Sequence, residues 1–266
     1  MKSYVSLICA FCAAASIFAQ NIIQLPHDAT GAQKWGGEEK KYISYSFILQ
    51  FICILFLVAL SHVEVKAQTG SVFEEEVASL TKKYDTIWDN ERETILFTGS
   101  SSVRFWKTLE ESFPNHQILN TGFGGSQASD LLYHLDDLVL RYKPRKVFIY
   151  EGDNDIFSKK KPKDILKTTS DIILQIRNNN PNTKIVLISA KPSISRWRLR
   201  GRYKRLNKKY LTLSEQDPFL EFIDVWNPML NGRKLKKDIF IEDGLHMNQK
   251  GYDLWYEAMK DQVNKP

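Results

Sequence analysis

Three consecutive serines follow a short apolar run in the segment ILFTGSSSVRFW, residues 95–106. A serine becomes a good nucleophile near neutral pH when an imidazole accepts its proton and a carboxylate orients that imidazole. The segment FIEDGLHMNQKG holds both groups, with Asp243 three residues before His246. On one tight turn this spacing lets the carboxylate accept the Nδ1 proton and leaves Nε2 free to act as a base. Because Asp-x-x-His is common by chance, the pattern needs support from the rest of the chain.

A glycine-rich loop and an asparagine supply groups that could hold a developing negative charge. In LNTGFGGSQASDLL, Gly122, Gly124 and Gly125 lie between a predicted strand and a predicted helix, where backbone N–H groups are able to bind an anion. A plain tight turn is an equal alternative, and a nucleotide site is disfavoured because the Lys and Thr of a phosphate-binding loop are missing. In VFIYEGDNDIF, the amide of Asn154 is either a further donor to an oxyanion or only part of a turn.

Other side chains with catalytic potential are expected to play no part. We expect structural or solvent-exposed positions for His116, in a Pro-Asn turn, and for His134, among the leucines of a predicted helix. Cys9, Cys12 and Cys53 all precede residue 68, so the rest of the chain has no disulfide, thiolate zinc site or cysteine nucleophile. The chemistry described above requires no metal and no cofactor.

The candidate residues follow apolar runs that alternate with segments of helical spacing. The predicted strands are Thr94–Thr98, Gln117–Asn120, Lys146–Glu151, Lys184–Ser189 and Glu221–Val225. The predicted helices are Val72–Asp85, Val103–Phe113, Ala128–Arg141, Pro162–Asn178, Tyr203–Glu215 and Gln249–Val263. This alternation predicts an α/β fold, a three-layer α/β/α sandwich around a five-stranded parallel sheet. Functional groups of such sheets lie beyond the carboxyl ends of the strands, where the Ser, Gly, Asn and His segments are expected to meet.

The order of these motifs resembles that of the SGNH hydrolases, or GDSL lipase/esterase family. In that order a Ser follows the first strand, a Gly the second and an Asn the third, and Asp-x-x-His precedes the last helix. The resemblance covers about Thr94 to Trp255 and is strongest to the bacterial platelet-activating-factor acetylhydrolase-like esterases. It implies a flavodoxin-like SGNH hydrolase fold. It also implies Ser101 as nucleophile, His246 as general base and Asp243 as its orienter. The implied oxyanion donors are the backbone N–H of Ser101, Gly125 and Asn154.

The first motif departs from the family pattern. Relatives have Gly-Asp-Ser, whereas Ser100 here stands where the family has Asp. That carboxylate helps to fix the nucleophile loop, and we expect the hydroxyl of Ser100 to replace it as a helix-capping acceptor. Because the other three motifs are intact, a retained active site is expected.

The N-terminal part of the chain has the pattern of an export region. MKSYVSLICAFCAAASIFAQ has an early Lys, a short apolar core and a small residue near its end, as in a signal peptide. A second apolar run, Phe47–Leu60, precedes Val65 and Ala67, which suit signal-peptidase cleavage before Gln68. We therefore predict an export region at residues 1–67, a hydrolase domain at residues 68–266, and a periplasmic, extracellular or membrane-anchored protein. Whether the second run is cleaved or stays as an anchor is open.

The substrate is less well defined by the sequence. No long apolar insertion is present to form the lid of a lipase, so a small acyl ester fits best, most simply acetyl, for instance on a glycan. The stretch from Lys191 to Lys209 holds nine Lys or Arg and no acid. It is either a solvated helix face or a site for an acidic polymer or anionic lipid surface, and nucleic acid is not expected for an exported protein. Alternatives are an O-acyltransferase and an inactive surface binding protein that uses the basic stretch. The oligomeric state is not indicated.

Overall fold

The computed structural model of the chain describes residues 72–265. The predicted export region, residues 1–67, and the predicted cleavage position before Gln68 lie outside the described residues. Within residues 72–265, no helix combines the length and the apolar composition needed to cross a membrane.

A parallel sheet of five strands forms the centre of the described part. The strands are β1 (Thr94–Gly99), β2 (Gln117–Asn120), β3 (Lys146–Tyr150), β4 (Lys184–Ile188) and β5 (Leu220–Ile223). Their order is β2-β1-β3-β4-β5, so the chain reverses its winding direction next to β1, as in flavodoxin-like sheets. In the register, Phe97 lies beside Asn120 on one side and Phe148 on the other. All five predicted strands are present, and the predicted fold class is confirmed.

Helices cover both faces of this sheet. A first helix, α1, covers residues 72–87. The others are α2 (Ser101–Arg104), α3 (Leu109–Ser112), α4 (Ala128–Tyr133), α5 (Leu135–Leu138), α6 (Asp153–Phe157), α7 (Pro162–Asn179), α8 (Arg200–Ser214) and α9 (Gln249–Asn264). Short 3₁₀ turns cover Leu140–Tyr142 and Trp197–Leu199, and a small antiparallel pair joins β6 (Leu230–Asn231) to β7 (Lys234–Leu235).

The apolar side chains divide into two cores because successive strand residues point to opposite faces. Leu96, with Val147 and Leu187, packs under α1, α4, α5, α7 and α8. Phe97 and Phe148 stack with their ring centroids 4.3 Å apart in the other core, which α2, α3 and α9 cover. The result is the predicted three-layer sandwich, with an apolar core on each side of the sheet.

Two predicted helices are interrupted in the structure. The predicted helix Val103–Phe113 is the pair α2 and α3, with the buried side chain of Trp106 between them. Trp106 packs against Phe97 and Trp255, so tertiary packing overrides the local helical spacing. The predicted helix 128–141 is broken into α4, α5 and the first 3₁₀ turn. His134 and Val139, where it breaks, leave helical geometry yet remain buried, which keeps the surrounding leucines in the core.

Candidate active site

Ser101 lies at the carboxyl end of β1, where the chain crosses the end of β3. Gly99 has a φ of +121°, and a Cβ atom there would stand 2.0 Å from the carbonyl oxygen of Tyr150, so only glycine fits. The backbone N–H of the next residue, Ser100, donates to that same carbonyl at 3.1 Å. Ser101 is then the first residue of α2, and its side chain is partly exposed at the edge of the sheet.

Ser100 caps α2 through its backbone and not through its hydroxyl. Its side chain makes no capping hydrogen bond, so the expectation that the hydroxyl replaces the family's carboxylate as a capping acceptor is wrong. Instead its carbonyl oxygen accepts from the N–H groups of Val103 at 2.9 Å and Arg104 at 3.3 Å. The backbone bonds to Tyr150 and to the first turn of α2 therefore fix the serine loop without a carboxylate.

A compact loop before α9 carries Asp243 and His246. A bridge between Phe240 and Met247 closes its base. One carboxylate oxygen of Asp243 accepts from the backbone N–H of Leu245 at 2.8 Å and of His246 at 2.9 Å. Such a side-chain-to-backbone turn holds the carboxylate and the imidazole on the same side of the loop.

The structure brings Ser101, His246 and Asp243 into one hydrogen-bonded chain. Nε2 of His246 lies 2.8 Å from Oγ of Ser101, and Nδ1 lies 2.5 Å from Oδ2 of Asp243. Because a carboxylate only accepts, we assign the ring proton to Nδ1, which leaves Nε2 to accept the hydroxyl proton of Ser101. Phe105 packs its ring edge-to-face against the imidazole, with centroids 4.9 Å apart. This arrangement can transfer a proton from the serine to the histidine.

The carboxylate of Asp243 is held in its ionised form. Partial burial acts to raise its pKa, but the hydrogen bonds from the backbone N–H of Leu245 and from His246 outweigh that effect, and the pKa is lowered below its usual 3.8. An ionised carboxylate beside Nδ1 favours the imidazolium that forms when His246 takes a proton.

Gly125 and Asn154 lie together across the loop from β2. The N–H of Phe123 donates to the carbonyl of Gly99 at 2.8 Å, which holds the glycine loop beside the serine loop. Nδ2 of Asn154 donates to the carbonyl of Ser126 at 2.8 Å, which places this amide next to Gly125. Within residues 72–265, the backbone N–H groups of Ser101 and Gly125 have no protein acceptor.

The orientation of the Asn154 amide is set by a neighbouring cation. Nη1 of Arg196 donates to Oδ1 of Asn154 at 3.0 Å. Since a guanidinium only donates, this contact fixes which end of the amide is the oxygen and leaves one Nδ2 hydrogen free for a ligand. Three N–H groups, on Ser101, Gly125 and Asn154, are therefore available to an oxyanion.

Glu76 is a residue of the site that the sequence did not reveal. It lies on α1, and its carboxylate accepts from the N–H of Gly124 at 3.1 Å and from Nε of Arg104 at 2.9 Å. It thus ties the glycine loop to α2 from outside the sheet. A glutamate on an amphipathic helix far from every motif gives no sequence signal.

A buried ionic cluster behind Asn154 was also missed. Oδ1 of Asp153 accepts from Nη1 of Arg196 at 2.7 Å and from the hydroxyl of Tyr203 at 2.6 Å. Burial acts to raise the pKa of Asp153, but nearby Lys191 and Arg196 outweigh it and the pKa is lowered. Nζ of Lys191 donates to the carbonyl of Leu245 at 2.6 Å and lies 3.9 Å from Asp153, so the cluster joins the Asn154 turn to the His246 loop.

A buried carboxyl group supports the glycine loop from below. The hydroxyl of Ser126 donates to Oε1 of Glu151 at 2.6 Å. Complete burial, with the nearby carboxyl of Asp155, raises the pKa of Glu151 well above its usual range. The raised pKa favours the neutral form of this carboxyl group, and no pattern in the sequence indicated it.

The two other histidines of the described part lie away from this arrangement. His116 contacts Asn264 through Nε2 at 3.0 Å. His134 is buried at the break between α4 and α5, and burial lowers its pKa. Neither contacts Ser101, Gly125 or Asn154.

Solved structures with the same fold include several ester hydrolases. A Streptococcus pneumonia protein described as a platelet activating factor is 24% identical, with a TM-score of 0.65, over 77% of this chain and 99% of its own. A GDSL-like lipase from Bacteroides thetaiotaomicron is 18% identical, with a TM-score of 0.57, over 69% and 96%. An acetyl-xylooligosaccharide esterase from Geobacillus Stearmophilus is 17% identical, with a TM-score of 0.55, over 65% and 95%. At these identities the likeness shows the fold.

The family is shown by the sequence itself. No curated protein matches the chain. The model of the GDSL-like lipase/acylhydrolase family matches residues 79–254, which include the serine loop, the glycine loop, the Asn154 turn and the His246 loop. With four motif-bearing loops at one edge of a flavodoxin-like sheet, and the family model spanning all of them, this chain belongs to the GDSL-like lipase/acylhydrolase family of hydrolases.

Proposed function

We propose that the chain hydrolyses small acyl esters, most simply acetyl esters, through an acyl-enzyme on Ser101. The observation that carries the proposal is the continuous pair of hydrogen bonds from Ser101 through His246 to Asp243. Nucleophile, base and orienting carboxylate within hydrogen-bond reach form the arrangement that activates a hydroxyl at neutral pH.

In the first half of the reaction, Oγ of Ser101 attacks the ester carbonyl while Nε2 of His246 takes its proton. The carbonyl oxygen becomes an oxyanion and receives hydrogen bonds from the N–H groups of Ser101, Gly125 and Asn154. The imidazolium, stabilised by Asp243, then gives its proton to the leaving alcohol. One ester bond breaks, and one ester bond to the serine forms.

In the second half, water replaces the alcohol. His246 takes a proton from the water, whose oxygen attacks the acyl carbon, and the same donors hold the second oxyanion. Collapse breaks the bond to Ser101, whose oxygen recovers the proton from His246. For an acetyl ester, the products are the alcohol, acetate and one proton.

A short acyl group is supported by two considerations. The sequence has no long apolar insertion to serve as a lipase lid. Among the structural neighbours are an acetyl esterase and an acetyl-xylooligosaccharide esterase, whose descriptions suggest acetylated sugars as the first substrates to test.

The test is hydrolysis of p-nitrophenyl esters from acetate to octanoate by the full chain and by Ser101→Ala. We expect activity that falls with acyl length and a loss of about 10³-fold or more in kcat for the variant, because no other group replaces the nucleophile. Ser100→Ala is the matched control, since its side chain makes no capping bond, and it should retain most activity. Parental activity in Ser101→Ala would refute the assignment.

We also propose that the protein is exported. The proposal rests on the two apolar segments of residues 1–67 and on the small residues at 65 and 67. N-terminal sequencing of the mature protein from a cell envelope fraction should give Gln68 if the second segment is cleaved. An intact second segment in that fraction would instead indicate a membrane anchor, and recovery of the whole chain from the cytosol would contradict export.

A further inference from the structure

A strongly basic surface is assembled from two separate parts of the chain. One part is the loop after α6 with the start of α7, and the other is the second 3₁₀ turn with α8. We define the basic surface by its exposed side chains: Lys159, Lys161, Lys163, Lys167, Arg198, Arg200, Lys204, Arg205, Lys208 and Lys209. The sequence indicated only the second part.

Arg202 joins the two parts. Its Nη2 donates to the carbonyl oxygen of Lys159 at 2.8 Å and to that of Lys160 at 2.6 Å. One guanidinium therefore holds the lysine loop against the start of α8, and the charges of both segments are brought side by side.

The protein neutralises little of the charge of this surface, because residues 159–167 and 198–209 contain one acid, Asp164 on α7. Within residues 72–265, none of the defining side chains forms an ion pair. On α8, Lys204 and Lys208 are four residues apart, as are Arg205 and Lys209, and like charges at that spacing repel each other and destabilise the helix. A helix face that retains such repulsion without acidic partners is suited to an external polyanion.

The basic surface begins beside the candidate active site. Lys160 lies between the two, with Nζ 3.2 Å from the carboxylate of Asp155 and 3.0 Å from the hydroxyl of Ser129. Asp155 follows Asn154, and Arg196, which holds the Asn154 amide, precedes the second part of the surface by two residues. A polymer bound on the basic surface would therefore pass close to the oxyanion donors.

We propose that the basic surface binds an acidic polysaccharide, a polymer of uronic acids, and presents its O-acetyl groups to Ser101. The proposal rests on the ester hydrolase function proposed above and specifies its substrate class. Carboxylates spaced along a glycan match a track of separate Lys and Arg side chains. Their attraction raises the local substrate concentration and the rate of encounter.

The composition of the surface favours a polymer in water over a membrane. A helix that binds a bilayer inserts apolar side chains beside its basic ones. The exposed large apolar residues include Phe157, Ile194 and Leu211, but none in residues 159–167 or 198–209. Exposed apolar side chains therefore border the basic surface, at Phe157 and Leu211, but do not alternate with its basic residues.

The test compares two variants with matched charge loss. The first replaces Lys161, Lys163, Arg205 and Lys208 by Gln on the basic surface. The control replaces Lys82, Arg233, Lys234 and Lys237 by Gln, which are also exposed and form no described ion pair. Each variant of the full chain is assayed for acetate release from an acetylated polygalacturonate and from a neutral acetylated xylo-oligosaccharide, and for p-nitrophenyl acetate hydrolysis.

For the surface variant we expect a loss of about tenfold in kcat/KM on the polyuronate only, within the range of electrostatic steering. The control variant should keep the wild-type value. Raising the salt from about 0.01 M to about 0.15 M, which shortens the Debye length from about 30 Å to about 8 Å, should reduce the wild-type advantage in the same way. Equal losses in both variants, or no wild-type preference for the polyuronate at low salt, would overturn the proposal.

A separate binding measurement distinguishes failure of this inference from failure of the proposed function. Unacetylated polygalacturonate should bind the wild type and Ser101→Ala equally and the surface variant more weakly. Loss of all Ser101-dependent hydrolysis with this binding intact would refute the hydrolase function alone. Binding of phosphatidylglycerol vesicles but not of polygalacturonate would replace the polysaccharide by a membrane and overturn the proposal.

Discussion

Replacing Lys191 by Met tests whether the buried cluster positions the His246 loop or only stabilises the fold. Lys191 is fully buried, and burial lowers its pKa from 10.5 to about 8. At about 1.4 kcal/mol per pKa unit, the charged form costs about 3 kcal/mol in the folded chain at neutral pH. Met removes that cost but leaves the carbonyl of Leu245 without this donor, a loss of about 1–3 kcal/mol. The two effects nearly cancel, and we expect the free energy of unfolding at pH 7 to change by less than about 2 kcal/mol.

The effect on activity should be much larger than the effect on stability. Lys191 donates a hydrogen bond to the carbonyl of Leu245, which directly precedes His246. Loss of the lysine side chain therefore lets the imidazole shift relative to Ser101. A displacement of about 1 Å at a catalytic group costs about 10²-fold in rate. We expect kcat to fall about 10- to 100-fold with little change in KM, because ground-state binding of the ester does not involve this contact.

The pH dependence of stability gives a readout specific to this lysine. Between pH 8 and 10.5 the folded state has lost the Lys191 proton while the unfolded state keeps it. Stability therefore rises with pH in this window by up to about 1.4 kcal/mol per unit, and Lys191→Met should lack that rise.

Urea unfolding at several pH values, with steady-state hydrolysis of p-nitrophenyl acetate, measures both effects. Lys82→Met, at an exposed position on α1, is the control and should match the wild type in both. An unchanged kcat would refute the positioning role. A destabilisation above about 3 kcal/mol with a wild-type pH slope would refute the assigned cost of burying the charge.

Three further predictions concern the other groups of the site. Asp243→Asn should lower kcat by about 10³- to 10⁴-fold with the fold intact, because an amide cannot hold the Nδ1–H tautomer of His246. A loss of kcat under tenfold would contradict the role of the carboxylate. Glu151→Gln should gain stability over the wild type as pH rises above 4.5, because the raised pKa of Glu151 opposes ionisation in the folded state while the unfolded state ionises. Urea unfolding at pH 4 and pH 8 checks this, and a constant difference in stability would show that folding does not raise the pKa of Glu151. Glu76→Ala should reduce kcat several-fold and the free energy of unfolding by about 1–2 kcal/mol, because the substitution leaves the N–H of Gly124 without its acceptor. Glu75→Ala, at an exposed neighbouring position, is the control, and equal kcat and stability of the two variants would exclude a role for the Glu76 contact.

The five strands of the sheet were predictable because each strand is encoded by a short, continuous segment of the sequence. Each strand is a short apolar run such as Lys146–Tyr150, bounded by polar segments, and periodicity of this kind survives in any tertiary context. The predicted site residues were likewise available, because Ser101, Gly125, Asn154 and Asp243 with His246 each follow or precede a recognisable element. The rule that parallel strands present their carboxyl ends at one edge was enough to expect them together.

Two predictions were wrong because contacts between distant parts of the chain override the local sequence pattern. The helix expected over 103–113 is broken because Trp106 fills a space between Phe97 and Trp255 that lies across the core. The hydroxyl of Ser100 was expected to act as a cap, but the backbone contact with Tyr150 on a neighbouring strand already fixes that loop. In both cases the deciding contact is distant in sequence.

The sequence by itself therefore determined the fold class, the order of the loops and the residue types at the edge of the sheet, since these depend on periodicity and on short motifs. Only the tertiary structure decided what holds those residues in place: Glu76 on the glycine loop, Lys191 on the His246 loop and Glu151 beneath Ser126. It also brought the lysines after α6 beside the basic face of α8 through Arg202. Side chains far apart in the chain meet only when the packing of the helices on the sheet fixes their positions, and no spacing along the sequence encodes that meeting.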